Sequence, residues 1–61
     1  MSNKLKAIKT VISFYTSKVE ELQDKKESEN LNDDQLYMVN HLIRFYNDKI
    51  IKLNREREED V

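Results

Sequence analysis

Displaced by 31 residues, this sequence lies over itself. Leu5, Ile12, Phe14, Tyr15, Lys18, Leu22 and Glu27 fall on Leu36, Ile43, Phe45, Tyr46, Lys49, Leu53 and Glu58. Ala7, Ile8, Val11 and Val19 likewise meet Met38, Val39, Leu42 and Ile50. Repetition at a fixed period names the building block before any motif does. The closest echo is Phe14-Tyr15-Thr16-Ser17-Lys18 against Phe45-Tyr46-Asn47-Asp48-Lys49. Two amphipathic helices share apolar spacing in any case, so the repeat fits a duplicated ancestral helix and also two helices shaped for the same packing. On either account the two halves are structurally equivalent.

The block is helical. Leu5, Ile8, Ile12, Tyr15, Val19 and Leu22 recur in alternating steps of three and four, as do Leu36, Val39, Ile43, Tyr46, Ile50 and Leu53. That is the a/d spacing of a heptad, and no segment sustains the period of two that a strand needs. The chain of 61 residues has no Gly, Pro or Cys. It therefore lacks the usual helix breakers and the disulfide or thiolate-zinc staples on which small domains lean. Leu31 is the only apolar residue between Lys25 and Asp34, which places the turn there.

The second helix has a well-marked start. Asn32 can cap it, Gln35 can return a hydrogen bond to the cap's own amide, and Leu31 with Leu36 can form a hydrophobic staple. Asp33 and Asp34 put negative charge where the helix dipole favours it. Ser2 is the candidate cap of the first helix. The expected layout is one domain over 1–61: a helix at about 3–27, a turn at about 28–32, a helix at about 33–58 and a frayed acidic tail.

Folding the arms antiparallel so that facing positions sum to 58 opposes Leu22 with Leu36, Val19 with Val39, Tyr15 with Ile43, Ile12 with Tyr46, Ile8 with Ile50 and Leu5 with Leu53. Every seam residue then meets an apolar one. Apolar surface is left over. Ala7, Val11 and Phe14 on one arm and Met38, Leu42 and Phe45 on the other widen the apolar arc to about 160°, beyond the narrow seam of a two-stranded coil. A lone hairpin of this size is marginal. The expected architecture is therefore all-α, an antiparallel two-helix hairpin that pairs into a dimeric four-helix bundle with Val11, Phe14, Tyr15, Met38, Leu42, Phe45 and Tyr46 in the dimer core. Charge is unevenly spread although the net is only −1. Positions 20–34 hold seven acidic residues and two lysines, whereas Lys4, Lys6, Lys9, Lys49, Lys52 and Arg55 gather at the open end, before the acidic residues of 56–60.

Signatures of chemistry are few. His41 is the only histidine, no Glu-x-x-His pair points inward, and neither a Gly-rich phosphate loop nor a Ser/His/Asp arrangement exists. No enzymatic activity, no cofactor and no metal site are expected. No apolar run approaches membrane-spanning length and no signal-peptide pattern opens the chain, so a cytoplasmic location without membrane contact is expected.

Two surfaces remain as candidates for function. The centre of the first helix's outer face reads Lys6, Ser13, Glu20, but the matching positions of the second read Tyr37, Arg44, Ile51, with His41 alongside. Aromatic, arginine and aliphatic side chains on a solvent face are what binding surfaces enrich. The expected function is a small dimeric interaction module, an adaptor or inhibitor of bacterial or phage origin, binding a protein partner through Tyr37, His41, Arg44 and Ile51. An alternative is a dimeric RNA- or DNA-binding regulator using Lys4, Lys6, Lys9, Lys49 and Lys52, although such binders usually show a clearer basic face. A structural assembly subunit is the third reading.

In layout the chain resembles the dimeric RNA-binding regulators of plasmid copy number, hairpins of nearly this length, without a shared motif. It is also similar in outline to the small sporulation aspartyl-phosphate phosphatases, helical hairpins whose second helix carries Ser-Gln-Glu-Leu-Asp. The comparable stretch here is Val39-Asn40-His41-Leu42-Ile43, which keeps only the Leu. The acidic residue which that resemblance would require is absent, and the phosphatase activity does not transfer.

Overall fold

In the computed structural model, residues 3–59 are described. Two helices, α1 (Asn3–Ser28) and α2 (Asp33–Glu59), pack against each other as a hairpin. Ser2 and the final residues Asp60 and Val61 lie outside the described residues, and with them the expected cap of α1 and the end of the acidic tail.

The connection solves a problem that the composition poses. Helices commonly end on a residue in the left-handed conformation, usually Gly, yet this chain has none and no described residue has a positive φ. Instead the Glu29 amide donates to the Lys25 carbonyl at 3.0 Å, carrying the helical pattern one residue past Ser28. The Leu31 amide then donates back to the Glu29 carbonyl at 3.1 Å. Ser28 Oγ donates to the Asp24 carbonyl at 2.7 Å, the back-bond that a helical serine makes to the carbonyl four residues before it.

α2 starts on the reciprocal cap. The Gln35 amide donates to Asn32 Oδ1 at 2.8 Å, and the Asn32 amide donates to Gln35 Oε1 at 3.0 Å. The Leu36 amide closes the first helical bond on the Asn32 carbonyl at 2.9 Å. With Asp33 and Asp34 in its first turn, α2 is well adapted to its dipole; α1 has no acidic residue in its first turn but ends on Lys25 and Lys26. Across the turn, Lys26 Nζ donates to Asn40 Oδ1 at 2.7 Å and ties the helices together.

The seam is the one the heptads describe. Ile8 and Val39 are buried, and the other ten a/d residues, from Leu5 to Leu53, are all half-buried. They are related by the 31-residue offset, so Ile8 and Val39 are equivalents: each half of the repeat contributes one residue to the driest part of the core. The pairing of each tyrosine with an isoleucine, expected from facing positions that sum to 58, is not what the structure shows: Tyr15 stacks on Tyr46 across the seam, with centroids 5.5 Å apart and planes at 30°.

A rod results. Helices of 26 and 27 residues are each about 40 Å long at 1.5 Å per residue, and the molecule measures 45 × 15 × 11 Å. Its radius of gyration, 14.2 Å, exceeds the ~10.5 Å of a compact chain of this length. No described helix is long and apolar enough to cross a membrane.

Candidate functional site

Four aromatic rings run across the hairpin in an unbroken row. Phe14 meets Tyr15 at 5.7 Å, Tyr15 meets Tyr46 at 5.5 Å, and Tyr46 meets Phe45 at 5.6 Å. At either end an ammonium group covers the outer ring: Lys18 Nζ lies 5.5 Å from the Phe14 centroid, and Lys49 Nζ lies 5.4 Å from that of Phe45. The row reads the same from both ends because Phe14, Tyr15 and Lys18 are the repeat equivalents of Phe45, Tyr46 and Lys49. It expresses a twofold pseudo-symmetry whose axis passes between the tyrosines, normal to the plane of the two helices.

That symmetry decides where the surplus apolar side chains go. Rotation about an axis normal to the hairpin plane exchanges the helices but keeps each face on its own side. Val11 and Phe14 of α1 therefore share one flat face with Met38, Leu42 and Phe45 of α2. Phe14 is 55% exposed, Met38 58% and Phe45 47%, with Val11 and Leu42 at the margin of exposure. Of the seven residues expected in a dimer core, Tyr15 and Tyr46 are half-buried within the hairpin itself and the other five stand on this face. At the turn end it runs into a hollow of about 300 Å³ lined by Leu31, Met38, Val39, Gln35, Asp34 and the stem of Lys25. The accessible surface of the chain, 5001 Å², is about 800 Å² more than a compact monomer of this length exposes.

A second feature occupies the outer side of α2. Tyr37 and His41, one turn apart, lie with near-parallel rings, 6.5 Å between centroids and 13° between planes. Together with Asn40 and Arg44 they line a hollow of about 230 Å³. Among the described residues, Tyr37 is the most exposed large hydrophobic side chain, at 72%. Three of the four expected partner-binding residues are thus brought together. Ile51 is also exposed but lies two turns from Arg44, outside the hollow. Asn40 is not among the expected partner residues, although its position three residues after Tyr37 and four before Arg44 puts it on the same helix face.

Of the lysines of the nucleic-acid alternative, Lys6, Lys9 and Lys49 do not share one direction. At 100° per residue, Lys6 and Lys9 project from the outer side of α1, away from the flat face, whereas Lys49 lies over the Phe45 ring. Lys9 lines a hollow at the open end whose other members are Leu5, Arg57 and Glu58, so a carboxylate shares it. Among the described residues, no group of three His, Cys, Asp or Glu side chains is placed to hold a metal ion.

Comparisons with protein-family models, with curated proteins and with solved structures return no match to this chain.

Proposed function

We propose that the protein is a helical interaction module: two hairpins joined through their flat faces into a four-helix bundle, with the outer side of α2 holding a protein partner. The observation that carries this reading is the separation of two unlike surfaces on one small rod. Val11, Phe14, Met38, Leu42 and Phe45 form a contiguous apolar face, while Tyr37, His41 and Arg44 cluster on a different side of α2. A large exposed apolar patch marks an interaction site in a soluble protein. The surplus of roughly 800 Å² matches one side of a standard interface.

The outer cluster differs in kind from the flat face. It combines an aromatic ring, an imidazole, an amide and a guanidinium around a shallow hollow, the mixture that dominates binding energy where a partner buries it. An adaptor or inhibitor acting in the cytoplasm of a bacterium, or of a cell infected by its phage, is the role we assign.

Affinity capture from cell lysate, with and without nuclease, tests the reading. The double variant Tyr37→Ala/Arg44→Glu should keep full helicity and self-association but lose the partner, since truncating a hot spot costs about 2 kcal/mol or more. Lys6→Glu/Lys9→Glu should retain it. Capture that is abolished by nuclease and by the lysine changes alone would refute the protein-partner reading in favour of nucleic acid.

A further inference from the structure

We infer that the second copy lies obliquely across the first, the two rods crossing at about 60° so that their apolar stripes coincide. The inference rests on the dimer reading above and gives it a geometry. Two observations carry it: the lean of the apolar stripe on the flat face, and the charged residues that fill the rest of that face.

The lean follows from the pseudo-twofold between Tyr15 and Tyr46. Ala7, Val11 and Phe14 stand eight, four and one residues before Tyr15, and Met38, Leu42 and Phe45 stand eight, four and one before Tyr46. All six are exposed. Because α1 runs toward the turn and α2 away from it, the first trio is displaced toward the open end and the second toward the turn. Each trio is centred about 6.5 Å from the level of the tyrosines and spread over about 10 Å of helix. With helix axes roughly 8–10 Å apart, the long axis of the stripe leans about 30° from the rod. On both helices each flat-face residue directly precedes a seam residue, so with the turn uppermost α1 is on the viewer's left and the stripe leans to the right.

The other two corners of the face are charged. At 100° per residue the row of Phe14 continues through Lys18, Glu21 and Lys25, and that of Phe45 through Lys49, Lys52 and Glu56. Stacking two hairpins with their rods aligned sets the lean of one stripe against the lean of the other. Val11 would then rest on the second copy's Lys18 with the turns apart, or beside its Lys49 with the turns together. An apolar contact is exchanged for a desolvated ammonium, which is costly. A half-turn about an axis along the stripe, or across it, instead lays stripe on stripe, and both are closed twofold arrangements. Either axis crosses the helices by twice the lean, about −60°, within the scatter of the commonest class of helix packing near −50°. The charged corners then face the open angles of the cross, where their heads reach water.

The chain has no cysteine, so introduced thiols report contacts cleanly. Val11 and Leu42 sit on the midline of the stripe. In the crossed dimer their Cα atoms come within disulfide reach, below about 7 Å, either each of its own counterpart or Val11 of Leu42. Oxidation of full chains carrying Val11→Cys and Leu42→Cys, one of them size-tagged, should convert most of the protein to covalent dimer through one of those two sets of links. Lys25→Cys, at a charged corner, should give none. Predominant linking of Val11→Cys to Lys18→Cys or to Lys49→Cys overturns the crossing, and so does a dimer in which neither Val11→Cys nor Leu42→Cys links. Sedimentation of the reduced chains separates the two levels of the reading. A monomer removes the dimer and the crossing together, whereas a dimer linked through position 18 or 49 removes the crossing only.

Discussion

Truncating Phe14 to alanine should dissociate the proposed dimer far more than it disturbs the hairpin's outer surface chemistry, and the size of the effect follows from exposure. Phe14 is 55% and Phe45 47% exposed. Taking about 200 Å² for a phenylalanine side chain, roughly 110 Å² of Phe14 and 95 Å² of Phe45 stand ready to be covered by a second copy. At about 25 cal/mol per Å² the Phe14 portion is worth close to 3 kcal/mol, and about 2 kcal/mol once the methyl left by alanine is allowed for. Twofold symmetry doubles this to about 4 kcal/mol per dimer, or roughly three powers of ten in Kd. Sedimentation equilibrium across a concentration series, with helicity followed by circular dichroism, measures it. Tyr37→Ala is the control: it removes a ring exposed to 72% but lying off the flat face, and should leave Kd within about threefold. A wild-type chain that stays a folded monomer at all concentrations would refute the reasoning. So would a Phe14→Ala Kd within tenfold of wild type.

Further tests address the fold. Tyr15→Ala and Tyr46→Ala remove equivalent rings from one stacked pair, so each should destabilise the protein by about 3 kcal/mol in urea titration. If one were silent while the other unfolded the chain, the pseudo-symmetric packing would be wrong. The reciprocal cap makes Asn32→Ala cost about 1 kcal/mol. Adding Gln35→Ala should cost less than the sum of the single changes, because the two side chains complete one motif; strict additivity in a double-mutant cycle would deny the reciprocity.

Much of this structure was legible in the residues. Alternating steps of three and four from Leu5 to Leu22 and from Leu36 to Leu53 specify two helices with one seam each. The Leu31–Leu36 segment specifies where the second begins, because capping depends on side chains only a few residues apart. Such features are local, and local geometry is set by covalent spacing. The hairpin follows for the same reason: a short polar connector between two apolar stripes leaves an antiparallel pair as the available way to bury both.

What lies between the helices was decided by tertiary packing. Facing positions that sum to 58 would pair each tyrosine with an isoleucine, yet the structure sets Tyr15 against Tyr46, since the slide of one helix along the other is a long-range quantity that heptad spacing leaves open. Asn40 joins Tyr37, His41 and Arg44 in a hollow because side-chain directions, not only helix positions, define a concave surface. Among the lysines that look like one basic end in the sequence, Lys49 lies over the Phe45 ring. The sequence by itself determined the two helices, the cap of the second and the surplus of apolar side chains. Only the tertiary structure decided that the surplus forms a single flat face, because that depends on the relative rotation of two helices about their axes, a quantity no local pattern of residues contains.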